Sequence, residues 1–402
     1  MSIVTARLVG REAFGALGIV QSTAGMIGTF AGLGLGMAAT RYLAILRSVD
    51  PPRAGRIVTL TLAMALVSGC AAGVALFVLA PWLAVHTIRA AQLAPQLRIA
   101  SLLLAASTVS TAQIGVLMGL EAFQTIAGIG VLRGALTLVI GVTAAWRWRL
   151  IGAVWALAIS AALGCSLNQF ALSRQCRRAT VPPRLHNAWQ EWPILWHFSF
   201  PAWLSGIMVA PSIWAACAML VSAPSGYRHM GVFNAANQWR NAALLLPTVL
   251  CQPLLPIFAD LHARRANDLK EAMWSSLKTV GLVSAVAAGV ICVGSPLIMA
   301  AYGTEFRRSW PVLCMLAVST VPAACCSVVG QAIAACGKLW PAFGMNLLWA
   351  AALIGFSLPS RQFGAAGLSG AFLISYALHA IAVTSYALCN RGMSFSHPVH
   401  FS

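Results

Sequence analysis

The sequence predicts an all-α polytopic membrane protein with about eleven transmembrane helices in two related bundles, and three observations lead to this fold class. Hydrophobic residues make up 59% of the 402 positions and charged residues only 8%, whereas a soluble domain carries about 25% charged residues. Apolar runs of about 20 residues, enough to cross a hydrocarbon core of about 30 Å, recur along the chain. Short motifs of the first half recur in the second half.

The apolar runs between charged residues predict eleven spans, separated by short polar connections. The longest connection, 173–194, holds four arginines and two adjacent prolines, a composition typical of a linker. We therefore predict an N-terminal bundle over residues 1–172, a linker over 173–194 and a C-terminal bundle over 195–402. The predicted spans are 15–37, 56–80, 97–120, 123–146, 150–172, 195–222, 229–258, 276–302, 310–336, 339–358 and 363–389.

The basic residues predict the orientation of these spans. The net charge of +18 comes from Lys and Arg residues that lie in short clusters between apolar runs, and membrane proteins keep such residues on the cytoplasmic side. This distribution explains the charge better than nucleic-acid binding, for which one continuous basic surface is typical. Clusters of four basic residues follow the first, fifth and seventh spans and so fall on one side. The linker and residue 402 are therefore predicted to be cytoplasmic, and residue 1 periplasmic.

Three sequence elements recur in the same order at a nearly constant spacing, which indicates an internal duplication of the kind found in secondary transporters. The second copy has the span 195–222 before its first element, whereas only residues 1–9 precede the first copy. We therefore expect this chain to lack the first of twelve helices, as a truncated gene model or a late start codon would produce. The recurring elements are Gly10-x4-Gly15 with Gly226-x4-Gly231, Pro81 with Pro296, and Leu104–Val109 with Leu316–Val321.

Several short motifs carry a resemblance to a known family. They are Leu8–Gly15, Phe30–Gly36 and Arg41–Ala44 in the first half, and Met230–Ala236, Pro247 and Leu255-Pro256 in the second. These motifs resemble those of the O-antigen (Wzx-type) polysaccharide flippases of the multidrug/oligosaccharidyl-lipid/polysaccharide (MOP) superfamily. The resemblance covers nearly the whole chain and departs from the family at Arg11, where proline is usual, and at the absent first helix.

The resemblance implies a MATE-like MOP fold whose two bundles open alternately to the two sides of the bacterial inner membrane. It implies transport of undecaprenyl-pyrophosphate-linked oligosaccharide from the cytoplasmic to the periplasmic leaflet, for O-antigen or lipopolysaccharide assembly. The implied partners are this lipid-linked oligosaccharide, membrane lipids and other polysaccharide-assembly proteins. No enzyme activity and no cofactor are implied. A carrier of lipid II, or of drugs and cations, from the same superfamily is the alternative.

Polar side chains at membrane depth are the candidate substrate-binding residues, because each must face protein or water. Asn234, Asn237, Gln238 and Asn241 recur at helical spacing and so share one face of the span 229–258. Arg240 borders this stripe. We predict that the stripe lines a substrate cavity; the alternative is that its amides hydrogen-bond across a packed helix interface.

Two further arginines complete the predicted site. Arg133 lies near mid-membrane in the span 123–146, and Arg41 lies at a predicted cytoplasmic helix end. A guanidinium suits a pyrophosphate because it is planar, permanently charged and able to donate two parallel hydrogen bonds. We predict that Arg133 and Arg240 face one central cavity, with water, backbone or a bound anion as partner. Snorkelling to an interface is the alternative for Arg133, and a role in orientation alone is the alternative for Arg41.

The sequence argues against other chemistries. No Asp or Glu lies inside a predicted span, which counts against an ion-coupled carrier with an acidic site. A membrane-embedded polysaccharide polymerase or ligase is the alternative from another class, but the longest outer loop, 81–96, holds no acid for general acid–base catalysis. The eleven cysteines include no C-x-x-C pair of the kind that binds zinc. We therefore predict no catalytic residue and no metal site.

The orientation can be tested at the linker. A Pro183→Cys substitution, in a background without other reactive cysteines, should be labelled by a membrane-impermeant maleimide only after the inner membrane is opened, because the linker is predicted to be cytoplasmic. Labelling in intact spheroplasts would reverse the predicted orientation.

Overall fold

The computed structural model describes residues 1–184, 187–255, 257–258, 261, 266–336 and 339–389. The sequence-based predictions that concern Pro256, the cytoplasmic C-terminus and two basic residues of the cluster after the seventh span, Arg264 and Arg265, lie outside these residues. Within them the chain is helical and contains no strand. This is the expected result for a chain in hydrocarbon, because a helix satisfies its own backbone N–H and C=O groups.

Thirteen α-helices are present in this part of the chain. Those of the first half are α1 (Ser2–Val9), α2 (Arg11–Gly32), α3 (Leu35–Val49), α4 (Pro51–Trp82), α5 (Ala94–Gly119), α6 (Phe123–Arg178), α7 (Trp192–Gly206) and α8 (Val209–Val221). Those of the second half are α9 (Gly226–Cys251), α10 (Ala266–Tyr302), α11 (Trp310–Ala335), α12 (Leu339–Ser360) and α13 (Gly364–Cys389).

Seven helical stretches of the described residues are long and apolar enough to cross a membrane. Two of the seven contain a reversal. Helix α6 is broken at Arg149, whose φ of 50° and ψ of −127° are not helical, and α12 and α13 are joined at Gly364, whose φ is 59°. The paired helices α7–α8 and the polar helix α9 complete the predicted set of about eleven spans, so the all-α polytopic fold is confirmed.

Two predicted spans are interrupted. The span 15–37 ends early because Leu33 and Gly34 both adopt a left-handed conformation, and helix α3 begins directly after them. A Cβ atom on Gly34 would lie 2.6 Å from the carbonyl oxygen of Ser199 in α7, so this break also lets α7 approach the backbone closely. The span 195–222 is interrupted at residues 207–208, which separate α7 from α8.

The described chain packs as two compact units, Met1–Ser222 and Ala223–Ser402. This division corrects one boundary of the sequence analysis, which placed 195–222 in the C-terminal bundle. Helices α7 and α8 belong to the first unit because α7 packs against α3 and α8 packs against α2. The indole N–H of Trp214 in α8 donates to the Thr23 hydroxyl of α2 over 3.0 Å.

The linker is fixed to the first unit by a cluster of charges. The Glu191 side chain is buried and accepts from Nε of Arg53 at 3.1 Å and from Nε and Nη2 of Arg56 at 3.2 and 2.9 Å. Asp50 caps the start of α4 by accepting from the backbone N–H of Arg53. The residues between α6 and α7 are therefore held against the start of α4, instead of forming the loose connection that their composition suggests.

Removing the charge of Glu191 should loosen this segment. In a Glu191→Gln variant one arginine faces an amide N–H₂ group in place of an oxygen, so we expect the free energy of unfolding to fall by about 1–3 kcal/mol. The measurements are the thermal unfolding midpoint in detergent and the rate of tryptic cleavage after Arg184. Glu271→Gln is the matched control, because Glu271 is exposed and makes no ion pair within the described residues. Equal unfolding midpoints and equal cleavage rates of the two variants would contradict the proposed role of Glu191 in holding the linker.

Candidate functional site

Helix α9 carries the predicted polar stripe, and its four amide side chains differ in their exposure. Asn234 is buried, Asn237 and Gln238 are half-buried, and Asn241 is exposed. The helix is continuous from Gly226 to Cys251, so these positions share one face as predicted. The exposure of this stripe therefore increases from Asn234 toward Asn241. Three of its four side chains are at least partly exposed at the protein surface.

Arg240 lies beside this stripe but is buried, with 5% of its surface exposed. Its Nε donates to the Ser319 hydroxyl of α11 over 3.3 Å. The guanidinium carbon lies 5.3 Å from the ring centre of Phe372 and 5.1 Å from that of Tyr376, both on α13. The prediction for Arg240 named water, backbone or an anion as its partner, and it missed these two aromatic rings.

The aromatic contacts help to explain how a cation is tolerated at this depth. A charge near the bilayer centre costs at least ~2.5 kcal/mol on insertion scales, and a desolvated cation–π contact returns about 2 kcal/mol. Two rings therefore offset most or all of this cost. Phe372 and Tyr376 are four residues apart on one helix, so they share a face. This i, i+4 spacing is the sequence signal from which the aromatic pair could have been found.

Arg240 forms no ion pair with an acid among the described residues. The ion pairs Arg47–Glu121, Arg53–Glu191 and Arg56–Glu191 lie in the first unit. The arginine has five N–H donors and keeps its proton in proteins, and only Nε has a described hydrogen-bond acceptor. The positive charge of this buried group is therefore weakly screened in its low-dielectric surroundings.

Arg133 occupies a different setting in the first unit. It is half-buried on the first part of α6, and its side chain packs against Gly164 on the returning part, where an added Cβ would lie 2.9 Å from Cδ of Arg133. One turn further, the Thr137 and Ser160 hydroxyl groups are hydrogen-bonded. Arg133 forms no ion pair among the described residues. The glycine was not singled out from the sequence, although it provides the space that this arginine occupies.

Arg41 is exposed on α3, in the same unit as Arg133, whereas Arg240 and the amide stripe belong to the second unit. The shared cavity for Arg133 and Arg240 stays a prediction. In the described residues no group of three or more His, Cys, Asp or Glu side chains is arranged to hold a metal ion.

Comparison with known proteins adds the family. A family described as polysaccharide biosynthesis protein matches residues 4–311. The EPS I polysaccharide export inner membrane protein EpsE of Ralstonia solanacearum is 23% identical over 371 residues, which are 90% of this chain and 83% of that protein. The EpsE protein of Ralstonia nicotianae is 24% identical over 356 residues, 87% of this chain and 79% of its own length.

Solved transporter structures share the fold. An inward-facing multidrug resistance MATE family transporter of the MOP superfamily has a TM-score of 0.81 at 14% identity, covering 96% of this chain and 92% of its own. A MOP superfamily transporter from Pyrococcus furiosus, for which a reversed polarity of the binding pocket suggests a different function, has a TM-score of 0.73 at 15% identity over 96% and 90% of the two chains. The chain therefore belongs to the polysaccharide biosynthesis protein family and has the fold of the MOP superfamily transporters.

Proposed function

We propose that this protein is a polysaccharide-export flippase that moves an undecaprenyl-pyrophosphate-linked oligosaccharide from the cytoplasmic to the periplasmic leaflet of the inner membrane by alternating access. The names of the two EpsE relatives, which are polysaccharide export proteins of the inner membrane, support the pathway and the location. MATE family transporters of the same fold are known in inward-facing and outward-facing conformations, which supports the mode of transport. We propose no catalytic step.

The observation that carries this proposal is the buried Arg240, whose charge no described acid neutralises. A fixed positive charge in a low-dielectric site attracts an anionic headgroup and repels a cation. The positive sign of this charge favours transport of a pyrophosphate-linked substrate over the alternative function, transport of drugs or cations. The half-buried Asn237 and Gln238 and the exposed Asn241 provide hydrogen-bond donors and acceptors for sugar hydroxyl groups.

Substitution of Arg240 tests the proposal. Arg240→Gln should lower polysaccharide export by about tenfold or more, because a change of ~1.4 kcal/mol in substrate affinity already corresponds to tenfold. Arg240→Lys should retain part of the export, since it keeps the charge but loses the planar fork. The measurement is surface polysaccharide in a strain that lacks its own flippase, at equal amounts of membrane-inserted protein.

Arg308→Gln is the matched control, because Arg308 is an exposed arginine of the same unit. A second measurement distinguishes an electrostatic role of Arg240 in substrate binding from a purely structural role. Binding of undecaprenyl pyrophosphate to the purified protein should weaken in Arg240→Gln and recover partly in Arg240→Lys. Normal export and binding by the Gln variant would refute the proposed role of this charge.

Arg133 gives a second test in the first unit. Arg133→Gln should reduce export while insertion stays normal, because an arginine without an ion pair is costly within a span and is typical there of substrate pathways. Gly164→Leu should have a similar effect, since a side chain there displaces the arginine that packs against the glycine. Gly128→Leu is the control, because a Cβ on Gly128 meets no atom within 4 Å. Normal export by both Arg133→Gln and Gly164→Leu would show that Arg133 has no part in transport.

A further inference from the structure

The first unit carries a groove that the proposed transport site does not use. It lies between α4 and the second part of α6, both of which pack against α5, and has a volume of about 850 Å³, within the range of about 300–1,000 Å³ that is typical of ligand sites. Leu62 and Leu66 form one wall, Phe170 and Leu172 the other, and Pro183 of the linker closes one end. Leu66 and Phe170 are 55% and 71% exposed, so the groove opens to the side of the helix bundle.

The position of the groove limits what can occupy it. Its residues on α4 run from Thr59 to Leu66 and those on α6 from Cys165 to Ser173, which is about 10–12 Å along each helix. One leaflet of a hydrocarbon core is about 15 Å thick. The groove is therefore short enough to fit within a single leaflet, and it lies nearer the start of α4 and the end of α6 than their other ends.

The floor of the groove is polar. Gln113 on α5 donates from its amide nitrogen to the Gln169 side-chain oxygen of α6 over 2.9 Å. The amide oxygen of Gln113 is buried and has no hydrogen-bond partner in the described chain, although the residue is only 1% exposed. The two amides bond to each other below the apolar walls of the groove, so they do not select its occupant.

Two arginines lie at the closed end of the groove. Arg177 follows Ser173 by one helical turn on the same face of α6, whereas Arg178 lies about 140° around the helix from Ser173. Arg184 follows Pro183, and its backbone N–H donates to the carbonyl of Gly55, one turn before Thr59. Both Arg177 and Arg184 are exposed and form no ion pair among the described residues. An apolar groove thus ends in uncompensated positive charge at the membrane surface.

We propose that this groove binds one anionic glycerophospholipid, with an acyl chain between α4 and α6 and its phosphate at Arg177 and Arg184. Basic pockets between helices at a membrane face bind anionic lipid headgroups, and this pocket adds an acyl-sized groove to that charge. A glycerophospholipid fits better than a polyprenyl carrier lipid, whose chain would extend far beyond a groove that is short enough to fit within one leaflet. The site lies wholly within the first unit and does not depend on the proposed transport function.

Photocrosslinking tests the proposal with the full-length protein in lipid nanodiscs. The probes are a phosphatidylglycerol with a diazirine in one acyl chain and the corresponding phosphatidylcholine, and adducts are mapped by mass spectrometry. We expect adducts of the phosphatidylglycerol probe to concentrate on the groove segments of α4 and α6, with unlabelled phosphatidylglycerol as an effective competitor. The double substitution R177Q and R184Q should lower this yield by about fivefold or more, because one basic residue near an anionic headgroup contributes about that factor.

R178Q is the matched control and should leave the yield unchanged, since Arg178 is exposed on another face of the same helix turn. Ala63→Phe places a ring in the groove and should lower the yield of both probes, which tests the groove without touching the charge. Equal yields from both probes, an even spread of adducts over the helices, or an R177Q and R184Q variant that equals R178Q would overturn the proposal. Stronger competition by undecaprenyl phosphate than by phosphatidylglycerol would also overturn it, in favour of the carrier lipid.

Discussion

The lack of water in the hydrocarbon core is the constraint on which the rest of this structure depends. Every backbone N–H and C=O group at membrane depth must find its partner within the protein, so the described chain is built from long helices. The breaks in these helices have local causes. Left-handed residues at Leu33–Gly34 separate α2 from α3, and a glycine at that point lets α7 approach the backbone of the kink.

The same constraint governs the charges. Three carboxylate–arginine contacts of the described residues lie at helix ends, where Glu121 pairs with Arg47 over 2.6 Å and Glu191 accepts from Arg53 and Arg56. Residues 41–56, the turn at 121–122 and the linker are therefore neighbours at one membrane face of the first unit. This arrangement agrees with the alternation of spans predicted from the sequence, which puts all three on the same side.

At depth the protein uses other partners for its cations. Arg240 packs against two aromatic rings and a serine hydroxyl group, and Arg133 packs against a glycine on the returning helix. Both arrangements leave the charge without a described acid. The proposal of an anionic substrate rests on this observation for Arg240.

The class of fold and the approximate number of spans were predicted from the sequence alone, and the structure confirms both. These features follow from composition and periodicity, which act within one helix or one turn. Contacts in the folded structure were needed to show that 195–222 packs with the first unit, that the buried Arg240 contacts the rings of Phe372 and Tyr376, and that Glu191 holds the linker against α4. Each of these depends on contacts between residues far apart in the chain, and helical periodicity carries no information about which distant helix a face will meet.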